Sequence, residues 1–118
     1  MVALRRNSAL PNQRVAVLRV GDLEIDALQR DVRQGTREVR LSPVEHVLLY
    51  TLAATAGSVV SYSDIAVALG RTDRTVRSNT LARHVSSLRR KLRDDADRPR
   101  YIETVLGVGY RCVAPRRA

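Results

Sequence analysis

Between Asn79 and Arg93 the chain reads NTLARHVSSLRRKLR, and its apolar residues Leu81, Val85, Leu88 and Leu92 recur at spacings of 4, 3 and 4. On a helix of 3.6 residues per turn these positions form one narrow stripe. Thr80, Arg83, His84, Ser87, Arg90 and Lys91 fall on the other side, in a sector of roughly 100°. A helix with one buried edge and one edge of cations, hydroxyls and an imidazole is suited to lying against a polyanion. Taken alone, it is equally compatible with a solvated basic face on a core helix.

The pattern upstream is different. Val15 to Val20, Leu23 to Asp26, Asp31 to Gln34 and Thr36 to Leu41 have strand character, with tight connections at Gly21-Asp22 and Gln34-Gly35. Alternation in Leu23, Ile25 and in Val39, Leu41 predicts a four-stranded antiparallel sheet with one solvated face. Ser42-Pro43-Val44-Glu45 is a capping box with proline at the first helical position, and it opens a helix that ends near Gly57. Val44, Val47, Leu48, Thr51, Leu52 and Thr55 would form its inner face. Val59-Val60 is long enough only for a bridging strand. A second cap at Ser61 to Asp64 opens a helix over Tyr62 to Leu69, with Gly70 suited to a left-handed stop. Arg71 to Ser78 reads as a polar loop before the basic helix. Asp94 to Pro99 forms an acidic turn after it, and Tyr101 to Val105 and Val108 to Val113 flank Leu106-Gly107 as a β-hairpin.

These elements predict an α+β fold of the winged helix-turn-helix type: an N-terminal four-stranded antiparallel sheet, three helices and a C-terminal β-hairpin wing. Residues 1–13 read as a flexible tail or linker end, 14–114 as the domain and 115–118 as a short basic end.

Charge strengthens the polyanion reading. The 118 residues carry a formal net charge of +9, and Lys91 is the one basic residue that is not arginine. Met1 to Gly70 holds 8 Arg against 7 acids, whereas Arg71 to Ala118 holds 13 basic residues against 5 acids, so the field belongs to the half that contains the basic helix. No apolar run reaches the 18 to 20 residues that a membrane span needs, and the basic helix has no Trp or Phe to anchor it at a membrane surface. The first residues lack an apolar core followed by a cleavage site, so the cytoplasm is expected. A lone Cys112 allows no internal disulfide, and its place in a strand beside Tyr110 predicts buried packing.

Catalytic chemistry finds little support. His84, His46 and Cys112 have no metal-ligand spacing, and Asp94, Asp95 and Asp97 lack that of a calcium loop. Gly107-x-Gly109 has no following helix to cradle a phosphate, and no serine sits in a nucleophile elbow. The expectation is a non-enzyme without metal or cofactor. Two classes remain: a sequence-specific DNA-binding regulator, and a winged-helix module used for protein contact or non-specific nucleic acid binding.

Three motifs in order, Ser42-Pro43-x-Glu45, then Asn79-Thr80 leading into His84-Val85-Ser86-x-Leu88-Arg89-Arg90-Lys91-Leu92, then Ile102-x-Thr104-Val105-x-Gly107-Val108-Gly109-Tyr110-Arg111, resemble the OmpR/PhoB-type output domain of bacterial two-component response regulators. The resemblance covers about Val15 to Val113. It implies sequence-specific binding of double-stranded promoter DNA, usually by two copies head-to-tail on direct repeats. Thr80, Arg83, His84 and Ser87 would face the major groove, and Arg89 and Arg90, with Lys91 beside them, would reach phosphates or bases. Tyr110 and Arg111 would support or contact the backbone from the wing. The loop with Arg71, Asp73, Arg74 and Arg77 would correspond to a segment that can contact RNA polymerase. The chain departs from the family's habit at Arg83, where relatives commonly carry an apolar residue, and at Leu106, where they commonly carry arginine. An arginine at 83 favours guanine, through paired bonds to O6 and N7. The resemblance also leaves open whether a receiver domain precedes Met1, with Met1 to Gln13 as linker, or whether the domain is regulated differently.

Overall fold

The computed structural model describes residues 17–70 and 78–113, with side chains from Thr80 onward in the second stretch. The four predicted strands form an antiparallel meander, β1 (Val17–Val20), β2 (Leu23–Asp26), β3 (Asp31–Gln34) and β4 (Arg37–Val39), in the order β1-β2-β3-β4. Period-2 alternation places Leu23, Ile25, Val32 and Val39 on one face, and all four are buried. Gly21 and Gly35 take positive φ at the hairpin turns, which L side chains resist.

Helix α1 (Pro43–Ala54) begins as its sequence dictates. Ser42 Oγ accepts from the Glu45 amide at 3.1 Å, and Glu45 Oε1 accepts from the Ser42 amide at 2.9 Å, closing the capping box. The helix ends at Ala54, before the expected Gly57. Its buried residues are Glu45, His46, Leu48, Leu49, Leu52 and Ala53, which share only Leu48 and Leu52 with the expected inner face; Val44, Val47 and Thr51 are half-buried and Thr55 is exposed. The reason is that α1 lies at the centre, touching β1, the two later helices and the last strand, so no single stripe defines its burial.

Strand β5 (Val59–Ser61) leads into α2 (Tyr62–Gly70), capped by Ser61 Oγ on the Asp64 amide at 3.1 Å. Gly70 closes α2 without the left-handed conformation expected of it. Helix α3 (Ser78–Leu92) follows, then β6 (Ile102–Val105) and β7 (Gly109–Cys112). β7 is central in a second sheet of order β5-β7-β6, so the predicted hairpin gains the short bridging segment as a third strand. Leu81, Val85, Leu88 and Leu92 are all buried, as their spacing requires. Cys112 is buried too, and burial pushes its thiol up to about 11. No described helix is long and apolar enough to cross a membrane.

The acidic turn has a structural task. The Asp94 carboxylate accepts from the amides of Asp95 (3.0 Å), Arg100 (2.7 Å), Tyr101 (3.3 Å) and Ile102 (2.9 Å), which folds the chain back into β6. Helix α3 itself is stopped by Arg93 at φ 57, with amide bonds from Asp94 to the Arg89 carbonyl and from Arg93 to the Arg90 carbonyl.

Candidate nucleic-acid interface

Helix α3 is the most amphipathic of the three. With its leucine stripe inward, the side chains that point away from the protein are Ala82, Arg83, Ser86 and Arg90, all exposed. The expected polar sector is therefore turned. Thr80, His84, Ser87 and Lys91 are half-buried on the flank toward α1, and Arg89 is half-buried on the flank toward the wing. Ser86 was missed by sequence reasoning, although its place one turn from both Arg83 and Arg90 was there to be read.

On the α1 flank, the second function of Glu45 appears. Beyond capping α1, its carboxylate accepts from Lys91 Nζ at 2.6 Å and from Ser87 Oγ at 2.6 Å, and the residue is only 4% exposed. Burial pushes its pKa up, but the bonds from Lys91, Ser87 and the Ser42 amide outweigh this and hold the carboxyl below its ordinary value. It is an anion at neutral pH. Ser87 and Lys91, expected at the outer surface, are thus partnered within the protein.

On the wing flank, Arg89 Nη2 donates to the Ile102 carbonyl at 2.8 Å and to Thr104 Oγ1 at 2.9 Å. Arg89 therefore fastens α3 to β6 rather than extending freely outward. Tyr110 is buried and meets Tyr62 edge-on, with ring centroids 5.7 Å apart, so it supports the wing from inside. Burial raises its pKa, as does the neighbouring Tyr62. Arg111 pairs with Glu103 across the β6–β7 ladder at 2.8 Å. At the wing tip Gly107 takes φ +77, and Leu106 is 87% exposed.

Between α3 and the wing runs an open groove of about 510 Å³, bordered by Ser86, Arg89 and Arg90 on one side and by Tyr110 and Asp94 on the other. Among the described residues no group of three metal-ligating side chains comes together. Arg71, Asp73, Arg74 and Arg77 lie outside the described residues, as do the 1–13 tail and the 115–118 end.

The exposed face of α3, a wing fastened beside it and an arginine-rich field form the geometry of a duplex-binding module. Comparison with known proteins points the same way. Residues 36–112 match the family described as "Transcriptional regulatory protein, C terminal". The KDP operon transcriptional regulatory protein KdpE of Escherichia coli is 34% identical over 110 residues, 93% of this chain and 48% of that protein. The phosphate regulon transcriptional regulatory protein PhoB of Rhizobium meliloti is 38% identical over 107 residues, 91% of this chain and 46% of that protein. The chain thus spans about half the length of these relatives. The crystal structure of the Klebsiella pneumoniae RstA DNA-binding domain in complex with RstA box is similar at a TM-score of 0.71 and 31% identity, over 82% of this chain and 96% of that one. The motifs, the two sheets around three helices and these likenesses converge, and the chain belongs to the family of transcriptional regulatory protein C-terminal domains, of the OmpR/PhoB winged-helix type.

Proposed function

We propose that the protein regulates transcription by sequence-specific binding of double-stranded promoter DNA, with α3 in the major groove and the β6–β7 hairpin along the neighbouring backbone. The observation that carries this reading is the outward line of Arg83, Ser86 and Arg90 on a helix otherwise fixed on three sides. A major groove about 12 Å wide admits one such helix, and guanidinium groups pair with guanine O6 and N7 or with phosphate oxygens.

Selection of bound sequences from a random duplex pool tests it. Arg83→Ala should then cost about 1 to 3 kcal/mol on the selected site and relax the preference at one base position. Equal weakening on all sequences would make Arg83 a phosphate contact. Wild-type affinity should fall steeply with salt, with a logarithmic slope of about 0.9 per phosphate neutralised. A flat dependence would favour a protein-contact module instead.

Two further partners rest on the family resemblance. A second copy would bind head-to-tail on direct repeats, which the selected sequences would display as a repeat spacing. The segment with Arg71, Asp73, Arg74 and Arg77 would contact RNA polymerase. Charge reversal at Arg74 should then lower promoter output while DNA affinity is retained. The site of action is the bacterial cytoplasm, where such DNA lies, and no catalytic step or cofactor enters this reading.

A further inference from the structure

We propose that Glu45, a buried carboxylate on α1, is a positioning residue for base readout: it aims Arg90 through the Ser87 hydroxyl and draws Lys91 away from the DNA. The inference rests on the DNA-binding reading above and deepens it.

A capping box requires one oxygen of its glutamate, and Glu45 Oε1 serves that purpose on the Ser42 amide at 2.9 Å. The other oxygen, Oε2, crosses to α3 and accepts the Ser87 hydroxyl at 2.6 Å. A serine hydroxyl has one proton and two acceptor lone pairs. With its proton committed to Glu45, Ser87 Oγ is left as an acceptor only, and Arg90 Nη2 lies 3.5 Å from it, at the long end of a hydrogen bond. Ser87 in this state does not donate to a purine N7 or O6. It offers a lone pair to the guanidinium that can, and so restricts the rotamers from which Arg90 approaches the duplex.

Lys91 is handled by the same carboxylate. Its Nζ lies 2.6 Å from Glu45 Oε1, an ion pair whose acidic partner is only 6% exposed in its side chain. Lys91 itself is 37% exposed in its side chain, but a cation already paired with a buried carboxylate displaces fewer counterions from DNA than an unpaired one. The charge that α3 presents to the duplex is accordingly concentrated on Arg83 and Arg90. The three polar side chains in this chain of contacts occupy positions 87, 90 and 91, one turn of α3, so a single carboxylate 42 residues upstream governs the orientation of that turn.

The experiment uses the full chain and the duplex selected from the random pool, with Glu45→Gln, Ser87→Ala, Ser87→Thr, Arg90→Ala and Lys91→Ala. Affinity is read for all four bases at each site position and at several salt concentrations, alongside thermal midpoints. Arg90→Ala should flatten the preference at its base position by about tenfold or more and lower the salt slope. Ser87→Ala should flatten the same position, and Ser87→Thr, which retains the hydroxyl, should restore it. Glu45→Gln should flatten it too, and if that variant unfolds, the Ser87 pair decides. Lys91→Ala should lower the salt slope by less than half as much as Arg90→Ala. The inference is overturned if Ser87→Ala leaves that position intact or alters a different one, or if Lys91 and Arg90 contribute equally to the slope. If the wild-type chain shows neither base preference nor salt dependence, the DNA-binding reading falls and takes this inference with it.

Discussion

Gln34 Nε2, on the third strand of the N-terminal sheet, donates to the Leu92 carbonyl at 2.7 Å, across 58 residues of chain. This bond completes the C-terminal cap of α3. An α-helix leaves its last four carbonyls without helical partners. Here the Arg89 and Arg90 carbonyls accept from the Asp94 and Arg93 amides, the Lys91 carbonyl accepts from Arg37 Nη2 at 3.1 Å, and Gln34 takes the last. Gln34 also donates to the Tyr101 hydroxyl, which donates to Asp22. The N-terminal sheet therefore holds the C-terminal end of α3, the helix proposed to carry the binding face.

Gln34→Ala should destabilise the fold by about 1 to 3 kcal/mol, the cost of leaving a part-buried carbonyl without its donor. Urea denaturation measures this directly. A loss below about 0.5 kcal/mol would mean that water replaces the bond and that the sheet does not fasten α3.

Gly109 should tolerate no side chain. A Cβ built there lies 1.9 Å from the Val60 carbonyl oxygen, which is backbone of the paired strand β5 and has no rotamer by which to yield. Gly109→Ala is expected to cost about 3 kcal/mol or more, at the upper end for overpacking, and to open the β5–β7 pairing. Unchanged hydrogen-exchange protection at the Tyr62 amide, which donates to the Val108 carbonyl across this pairing at 3.1 Å, would contradict this.

His46 should make stability sensitive to mild acid. It is buried on α1 with both ring nitrogens unpartnered. Burial lowers its pKa first, the Arg30 charge lowers it further, and Asp26 opposes them. Above the ordinary value of 6.5 the ring is neutral in both states and contributes no pH dependence. As pH falls below it, the unfolded chain takes a proton that the folded state resists, so stability falls until the lowered folded pKa is passed, at most by about 1.4 kcal/mol per pH unit. Glu45, also depressed, loses its contribution only in the lower window beneath its ordinary 4.5, so the two are separable. Urea midpoints from about pH 5 to 7 should slope for the wild type and flatten in His46→Leu. A slope that persists in His46→Leu would assign it to another group.

Leu106 offers a test of the wing. It stands 87% exposed at the hairpin tip, while Arg111 nearby is paired with Glu103. If the tip lies at the DNA backbone, Leu106→Arg should tighten binding severalfold at low salt and steepen the salt slope by about 0.9. Leu106→Asp should weaken binding. Fluorescence anisotropy at several salt concentrations would show both, and no response to either substitution would place the tip away from the duplex.

By itself the sequence determined what depends on neighbours within one or two helical turns. The 4-3-4 spacing of Leu81, Val85, Leu88 and Leu92 is a property of helical geometry, and all four are buried. The Ser42–Glu45 box, the second cap at Ser61 and the alternation in β2 are equally local, and so were legible. The tertiary structure decided what depends on residues far apart in sequence. It turned the polar sector of α3 so that Arg83, Ser86 and Arg90 face outward, by committing Ser87 and Lys91 to Glu45 and Arg89 to Ile102 and Thr104. It buried His46 because α1 has neighbours on several sides, and it made Gln34 a helix cap. Periodicity tells which edge of a helix is apolar; which polar side chains remain for a partner depends on where other elements place their charges, and no local spacing encodes that.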